Sequence, residues 1–417
     1  MGYDPRIVPE PTIFIQGWIW AGVGVLLLAA FFLTRRRPDW GLAAVVAAMP
    51  LYQIRADLFG LPTTFLELLF GAVILGIVAR WPREKLKRTP YDLWAALFVV
   101  GSLLAALVSP DVREGLGLWR AFILEPVVFF YAATAVFAKR DPRPLLAGAM
   151  GAIAVVGAWA LYLVADGRGV TYDHRWLGPY QTANYFALLL VPSILMTVCW
   201  PRREWLLPRI AIAGGGLVML LSSNSRGGLL ALLAGALITI PFLGRRLQLI
   251  LAAVLVGSLA AATAVFGPRL VEHSEQPVIS ARPVIWREAA GLIAEHPLFP
   301  LGPGQFQPVF QQRVAGNQTE TLYVVPQAQN AHDVWLVAWT EWGLLTVVSL
   351  LGLIATVILT IKRRLSYWMI VPSTMLAAIL VHGLVDTSIF KNDLAILFWL
   401  TVALTVVLPK ARKRRLT

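Results

Sequence analysis

Long apolar stretches follow one another along this 417-residue chain, and their succession limits the fold more than any other feature. Each runs for about 17 to 25 residues, the length that an α-helix needs to cross the hydrocarbon core of a bilayer. Apolar residues make up 58% of the chain and charged residues 14%, which is not the balance of a soluble domain. Backbone groups inside a bilayer must be satisfied within the protein, so these stretches are predicted to be helices. The expected fold is an all-α polytopic membrane protein.

We predict 12 or 13 transmembrane helices, of which the second is the shortest. The predicted spans are 15–33, 40–53, 61–79, 91–108, 116–137, 145–165, 181–200, 208–223, 227–243, 248–266, 332–361, 366–386 and 394–409. The chain thus divides into ten spans over 1–266, a large loop over 267–331, and three spans with a basic tail over 332–417. The first span is expected to be an uncleaved anchor, because Met1–Thr12 lacks the basic region of a signal peptide. No internal repeat of the kind found in many transporters is visible, which counts against a carrier.

Basic residues indicate the orientation, because lysine and arginine concentrate at the cytoplasmic ends of membrane helices. Seven clusters hold 24 of the 36 basic residues, and all of them fall on one side of the predicted bundle. They are 35–37, 80–88, 139–143, 202–209, 245–246, 362–364 and 410–415. We therefore expect the C-terminus in the cytoplasm, and the N-terminus and the large loop outside. The net charge of +13 follows from this topology and from contact with anionic membrane lipids, so no nucleic-acid partner is expected.

The segment 267–330 is the longest part of the chain that lacks the pattern of a membrane helix. Loops of more than about 12 to 15 residues are usually functional or disordered, and this one contains a helical pattern. Ser280 is suited to the N-cap, Pro283 is tolerated in the first turn, and Pro297 follows the end of the pattern. Apolar residues recur at helical spacing at Ile285, Ala289, Leu292 and Ile293. The loop is therefore predicted to contain an amphipathic helix on the outer membrane surface.

Arg282 falls in the first turn of this predicted helix, where free backbone N–H groups already favour an anion. Its planar guanidinium can hold a phosphate through two parallel hydrogen bonds, which a lysine cannot do. The alternative is an exposed arginine on an amphipathic helix, with no ligand.

Arg226 lies in a polar break, Ser222 to Gly228, between two apolar helices. Irregular backbone at membrane depth is tolerated only where protein covers it or where it lines a wet cavity. An arginine in such a break indicates an anion site. A hairpin turn with a snorkelling arginine is the alternative.

His332 stands at the start of the predicted span 332–361, where the positive end of a helix dipole disfavours the imidazolium. A neutral ring at this position could act as a general base. Asp333 beside it acts in the opposite direction, so the sequence leaves the protonation state open. A structural histidine at the membrane boundary is the alternative.

Further ionisable residues support these candidates. Arg175 adds a cation to a medium outer loop, while Arg120 and Glu125 lie on one predicted membrane helix and His382 and Asp386 on another. Ionisable groups at membrane depth are functional candidates because they are costly to place there. Pairing between positions i and i+4 explains His382 and Asp386 almost as well.

Several motifs of known chemistry are missing from the sequence. It has no Gly-rich nucleotide loop, no serine-histidine-aspartate signature, and no cluster of carboxylates and histidines at metal-ligand spacing. Cys199 is the only cysteine, which excludes a disulfide within the chain. We therefore expect a reaction on an anionic, phosphate-bearing substrate at the outer face, with neither a metal nor a cofactor.

Taken in order, these positions resemble the O-antigen ligase and polymerase superfamily, multi-spanning enzymes that use undecaprenyl-diphosphate-linked glycans. The matching pieces are Gly178 with Asn184, Ser225-Arg226-Gly227, Arg282 with Trp286, His296-Pro297, Gly302-Pro303-Gly304-Gln305-Phe306, Ala331-His332-Asp333, Glu341 with Gly343, and His382-Gly383-Leu384-Val385-Asp386. Their order and spacing match from about residue 175 to 386. Two features depart from the family pattern. The family usually has asparagine where this chain has Asp333, and its core typically has twelve helices, so the first predicted helix is an addition.

The resemblance implies a catalytic set of Arg226, Arg282 and His332, in which the arginines bind the diphosphate and the histidine acts at the reaction centre. It also implies a set of substrate-binding residues. They are Arg175, Asn184, Trp286, Gly304, Asp333, His382 and Asp386. The donor would be an undecaprenyl-diphosphate-linked glycan, and the acceptor a lipid A-core or another glycan.

The resemblance leaves more than one function open. A ligase joins a finished glycan to a lipid A core, whereas a polymerase joins repeat units to each other. Polymerases often carry two substantial outer loops, so the one dominant loop of this chain favours a ligase. A member of the family that glycosylates proteins is also compatible with the sequence. Outside this class of enzyme, the alternatives are a lipid-linked glycan transporter or flippase, and a non-catalytic assembly scaffold. The expected location is the bacterial inner membrane, with the active site facing the periplasm.

Overall fold

The computed structural model describes residues 13–15, 17–58, 60–80, 86–171, 174–240, 282–314, 328–364 and 366–409, and its regular structure is almost entirely helical. Five helices in these ranges are long and apolar enough to span a membrane. They are Ile19–Arg36, Val112–Val136, Arg143–Ala165, Leu206–Ser223 and Gly343–Arg364. Shorter apolar helices accompany them. The predicted all-α polytopic membrane fold is confirmed.

The part of the chain before the large loop forms ten described helices. They are α1 (Ile19–Arg36), α2 (Pro38–Ala47), α3 (Phe65–Val78), α4 (Asp92–Leu107), α5 (Val112–Trp119), α6 (Glu125–Val136), α7 (Arg143–Ala165), α8 (Ala183–Cys199), α9 (Leu206–Ser223) and α10 (Arg226–Thr239). The side chains of Thr64, Thr182 and Ser225 cap α3, α8 and α10 by accepting a backbone N–H from three residues further on. Short polar residues at the predicted boundaries thus start these helices.

The large loop and the C-terminal part contribute six more described helices. They are α11 (Arg282–Glu295), α12 (Phe306–Val314), α13 (Val334–Thr340), α14 (Gly343–Arg364), α15 (Ile370–Gly383) and α16 (Asn392–Val407). The predicted amphipathic helix of the loop corresponds to α11, whose Ile285, Ala289 and Leu292 are buried along one face. Its predicted N-cap, Ser280, and the predicted span 248–266 lie outside the described residues.

A small sheet is the first feature that the sequence did not predict. Strand β1 (Ile13–Phe14) pairs in parallel with β2 (Ile54–Leu58), which pairs antiparallel with β3 (Leu61–Thr64). The predicted second span is accordingly shortened to α2, followed by the 3-10 turn Met49–Gln53.

Two predicted spans are interrupted rather than continuous. The span 332–361 consists of α13 and α14, which are separated at Glu341 and Trp342, and the membrane-length helix begins only at Gly343. Gly343 has a φ of +83°, a conformation that side chains with a β-carbon disfavour, so the break needs glycine there. The span 116–137 contains a π-helical turn, Arg120–Leu124, between α5 and α6.

The helices α8, α10 and α15 pack against one another, and they provide the scaffold for the candidate site. Next to them, α16 is buried along nearly its whole length, and its Trp399 contacts Phe98 and Phe130. This packing is extensive enough to hold the ends of α10 and α15 in defined positions.

Candidate active site

Asp386 lies at the centre of a cluster that contains two of the three predicted catalytic residues. Its Oδ1 is 3.4 Å from Nδ1 of His332, and its Oδ2 is 3.8 Å from Nη2 of Arg282. The backbone N–H of Thr387 donates to Oδ1 at 2.8 Å. Asp386 is only 1% exposed, so the protein itself supplies the partners of this carboxylate. The structure thus brings Arg282, His332 and Asp386 together.

Three separate segments deliver these side chains. Arg282 is the first described residue of α11, His332 lies in the turn before α13, and Asp386 follows the end of α15. His332 has a φ of +48°, in the left-handed region that residues with a β-carbon rarely adopt. Such a conformation persists only where the surroundings hold it, and it occurs often at functional sites.

The charge of Asp386 depends on its partners. Burial alone would raise the pKa of Asp386, but the hydrogen bond and charge of His332, the charge of His382 and the N–H of Thr387 hold this pKa at about 2. The carboxylate is therefore ionised across the neutral range. It offers a negative charge to Arg282 and His332 together.

The imidazole of His332 is oriented by this carboxylate. When Nδ1 carries the proton, it donates to Asp386 and leaves a lone pair on Nε2. The His332 side chain is 27% exposed, so the ring is open to a ligand. The free lone pair on Nε2 allows the ring to take a proton from a hydroxyl. The carboxylate at Nδ1 would then stabilise the imidazolium that forms.

The helix after His332 is not the long helix that the sequence predicted. It has 7 residues, and Asp333 is its N-cap, whose Oδ1 accepts the N–H groups of Trp335 and Leu336 at 2.8 and 2.9 Å. Burial raises the pKa of Asp333, and these two N–H groups oppose the rise. Asp333 therefore stabilises a helix start, and it is Asp386, rather than a long helix dipole, that acts on His332.

Arg226 is the first residue of α10, which begins beside the same cluster. A β-carbon on Gly227 would lie 2.8 Å from Nε2 of His382, so only glycine lets α10 approach the segment that carries Asp386. The Arg226 side chain is exposed, and it makes no hydrogen bond or ion pair with any residue that the structure describes. The helix start is thus next to the cluster, while the guanidinium is not in contact with it.

The predicted binding residues Arg175 and Asn184 hold the break before Arg226 in shape. Nε of Arg175 donates to the carbonyl of Ser223 at 3.1 Å. Oγ of Ser225, the N-cap of α10, donates to Oδ1 of Asn184 at 2.8 Å. Both residues therefore support the position of Arg226.

His382 does not form the side-chain pair with Asp386 that the i and i+4 spacing suggested. The His382 side chain is buried, and neither ring nitrogen has a hydrogen-bond partner among the described residues. Only its carbonyl contacts Asp386, by accepting that residue's N–H at 3.0 Å. Because α15 ends at Gly383, helical spacing no longer aligns the two side chains. The two side chains therefore form no hydrogen bond, although their charges interact at longer range.

Trp286 and Gly304, the remaining predicted binding residues, form no hydrogen bond with the Asp386 cluster in the described structure. Trp286 is half-buried on α11, and its Nε1 is buried without a hydrogen-bond partner in the described part of the chain. The N–H of Gly304 is 3.4 Å from Oε2 of Glu341, and a β-carbon on Gly304 would lie 3.0 Å from Oε1 of Glu114. Gly304 therefore packs between the carboxyl groups of Glu341 and Glu114.

Glu341 is itself a perturbed group. Burial raises its pKa to about 8 even though the N–H groups of Gly304 and Phe306 favour the carboxylate, and the charge of Glu114 adds to the rise. The Glu341 side chain is therefore mostly protonated at pH 7.

Arg120 and Glu125 belong to a different charge cluster. Nη2 of Arg120 is 2.6 Å from Oε2 of Glu67, and its Nε is 3.5 Å from Oε1 of Glu125. These three residues line a largely apolar cavity of about 690 Å³ between α1 and α3. The residues that line this cavity do not include His382 or Asp386. Arg120 and Glu125 therefore line a cavity to which His382 and Asp386 do not contribute.

Three polar residues that the sequence analysis missed complete the Asp386 cluster. Asn330 accepts the backbone N–H of His332 at 2.9 Å and the hydroxyl of Thr387 at 3.0 Å, and it donates to Tyr185 Oη at 3.0 Å. Asn330 is two positions from His332, Thr387 follows Asp386, and Tyr185 follows Asn184. The signal in the sequence was that each of them is a polar residue within two positions of a candidate.

Comparison with known proteins agrees with the family resemblance. Residues 210–351 match the family model described as O-antigen ligase. This region contains Arg226, Arg282 and His332, and it ends before Asp386. No curated protein matches the chain. The match confirms the resemblance to the O-antigen ligase superfamily, while the roles of the individual site residues stay predictions.

Proposed function

Because residues 210–351 match the O-antigen ligase family, we propose that this protein transfers a glycan from an undecaprenyl-diphosphate carrier to an acceptor hydroxyl, as an O-antigen ligase does. The reaction would take place at the outer face of the bacterial inner membrane. The acceptor would be the core sugar of a lipid A-core.

One observation carries the proposal: a guanidinium and an imidazole from distant segments share one buried carboxylate. Arg282 supplies a cation for the diphosphate, and His332 supplies a base for the hydroxyl. Arg226 begins the neighbouring helix α10, whose Gly227 contacts His382. Two arginines and a histidine in one region fit a reaction in which a diphosphate leaves and a hydroxyl loses its proton.

The proposed chemistry assigns each group one task. The acceptor oxygen bonds to the anomeric carbon while the bond from that carbon to the diphosphate oxygen breaks, and the electron pair leaves with the diphosphate. The hydroxyl proton passes to Nε2 of His332, and Asp386 stabilises the imidazolium. Arg282 and Arg226 neutralise the charge that develops on the diphosphate. In this scheme Arg282 exchanges its 3.8 Å contact with Asp386 for contacts with the donor.

Two features favour transfer by a ligase over the alternatives. The chain has one dominant loop, 267–331, whereas polymerases of the superfamily often have two substantial loops. A flippase would need a continuous polar path, but Arg120 and Glu125 line a cavity apart from His382 and Asp386. Metal independence stays a prediction.

The direct test is reconstitution of the protein in liposomes with an undecaprenyl-diphosphate oligosaccharide. A lipid A-core and a second lipid-linked oligosaccharide are offered as separate acceptors, with no added metal and with a chelator. We expect glycosylated lipid A-core. A longer glycan on the undecaprenyl carrier would instead identify a polymerase, and donor movement across the bilayer without any product would overturn transfer.

The same assay tests the residues. Arg282→Ala and His332→Ala should each lower the rate by about 100-fold or more. Arg287→Ala is the matched control, because Arg287 is exposed on the same helix α11 and should leave the rate close to that of the wild type. Equal rates for Arg282→Ala and Arg287→Ala would contradict the role of Arg282.

A further inference from the structure

Asn330 connects the turn that carries His332 to the segment after α15 and to α8. Its Oδ1 accepts the backbone N–H of His332 at 2.9 Å and the hydroxyl of Thr387 at 3.0 Å. The backbone N–H of Thr387 in turn donates to Oδ1 of Asp386 at 2.8 Å. One amide oxygen thus links the residue that carries the imidazole to the neighbour of the carboxylate that orients it.

The orientation of the Asn330 amide follows from its neighbours. The backbone N–H of His332 can only donate, so the amide atom 2.9 Å from it is the oxygen. The amide nitrogen therefore faces Oη of Tyr185 and donates to it at 3.0 Å. Tyr185 is 7% exposed, and Nζ of Lys391 lies 3.6 Å from the centroid of its ring. Both ends of the amide are therefore held by buried or packed groups.

His332 needs such a support because of its backbone. Its φ of +48° is unfavourable for a residue with a β-carbon, and an asparagine side chain that accepts an N–H two residues on stabilises a local turn. The contact between His332 Nδ1 and Asp386 Oδ1 is 3.4 Å, at the long end of a hydrogen bond. A small displacement of either residue would break this contact.

We propose that Asn330 is a positioning residue that keeps His332 aligned with Asp386, with Tyr185 and Thr387 completing the support. The inference rests on the proposed glycan transfer, because alignment matters there for removal of the acceptor proton. Asn330 itself need not touch the substrate.

The kinetic test uses four variants of the full-length protein in liposomes. Asn330→Ala, Tyr185→Phe and Thr387→Val each remove part of the hydrogen-bond set, and Thr387→Ser keeps the hydroxyl. We expect Asn330→Ala to lower kcat by about 10- to 100-fold, as for a small misplacement of a reacting group. The donor KM should stay within about twofold, since the diphosphate contacts are unchanged. Thr387→Ser should recover most of the rate that Thr387→Val loses.

A second measurement does not depend on activity. Amide hydrogen exchange of the segment 328–334, read by mass spectrometry, should become faster in Asn330→Ala and in Tyr185→Phe than in the wild type. A merely structural role would instead lower the midpoint of thermal unfolding in parallel with kcat.

The outcomes separate this inference from the proposed function. If the wild type transfers no glycan but exchange of 328–334 still responds to Asn330→Ala, transfer is wrong and the support of His332 stands. If the wild type is active and Asn330→Ala has full rate, the positioning role is wrong and transfer stands. Equal losses in Thr387→Ser and Thr387→Val would also overturn the role of the hydroxyl.

Discussion

Among the single residues, Asp386 determines how the charges of the site balance. Its carboxylate is 3.8 Å from the Arg282 guanidinium and 3.4 Å from the His332 imidazole. A buried anion beside the Arg282 guanidinium keeps the positive charge of the site in check. In the proposed mechanism, the same carboxylate competes with the donor for Arg282 and cooperates with His332 in proton transfer.

This dual role predicts opposite effects of Asp386→Asn on binding and on turnover. The amide no longer neutralises Arg282, so we expect a lower donor KM or Kd. It also no longer stabilises an imidazolium, so kcat should fall by about 100-fold or more. Donor titration and initial rates in liposomes measure the two effects separately. Unchanged kcat in a correctly inserted Asp386→Asn protein would contradict the proposed partnership with His332.

The raised pKa of Glu341 predicts that the stability of the protein depends on pH. This pKa is about 8 in the folded protein against an ordinary value of 4.5, so the folded state binds more protons than the unfolded state between these pH values. Stability from this group is therefore complete below pH 4.5 and is lost as pH rises through 8. Compared with the wild type, Glu341→Gln should gain thermal stability as the pH is raised from 5 to 9. A constant difference in the unfolding midpoint over this range would contradict the prediction.

The candidate residues could be named one by one from the sequence, but their contacts could not, and their chemical roles stay predictions. Arg282 and His332 stood out because a cation and an imidazole at predicted helix starts are uncommon in a membrane protein. The partner of Asp386 was missed because helical spacing pointed to His382, whereas α15 ends at Gly383 and turns the carboxylate toward the loop. A contact between segments more than 50 residues apart in sequence leaves no periodic signal in one chain.

Among the helices, the start of α10 connects local structure to the site. Oγ of Ser225 accepts the N–H of Gly228 at 3.2 Å and donates to Asn184 at 2.8 Å, and Arg226 follows it directly. The cap thus sets the position from which the arginine side chain extends.

Ser225→Ala should therefore affect both stability and donor binding. Loss of the cap costs about 1 kcal/mol, and the Asn184 oxygen loses its hydrogen-bond donor as well. We expect a lower unfolding midpoint in detergent and a higher donor KM. Ser222→Ala is the matched control, since Ser222 is half-buried in the last turn of α9 and is not the cap. Equal effects of the two substitutions would argue against a specific role of the cap.

The positions of the helices could be predicted, because apolar runs of membrane length are a strong signal. The places where these helices are interrupted could not be predicted. The strands β1, β2 and β3 contain 2, 5 and 4 residues, too few for an alternating pattern to stand out among apolar neighbours. The break before Gly343 depends on the positive φ of this one residue. The hydrophobic residues on both sides of it read as one continuous membrane helix, so the sequence gives no sign of the break.

For the molecule as a whole, the distribution of basic residues predicts the orientation in the membrane. With Cys199→Ala as background, a cysteine introduced by Arg287→Cys on α11 should react with a membrane-impermeant maleimide in intact cells. A cysteine introduced by Arg203→Cys should react only after permeabilisation, because Arg203 lies in a predicted cytoplasmic cluster. Both positions are exposed in the structure. The reverse labelling pattern would place the site in the cytoplasm and overturn the proposed reaction.

The arrangement of the site also has a consequence for the biogenesis of the protein. Arg226, Arg282 and His332 leave the ribosome before Asp386, which follows the penultimate described helix. Until α15 has entered the bilayer and packed on α10, the imidazole has no carboxylate to orient it. If the proposed function holds, a partly synthesised chain already contains the cations that would bind the lipid diphosphate, but it lacks the carboxylate that transfer requires.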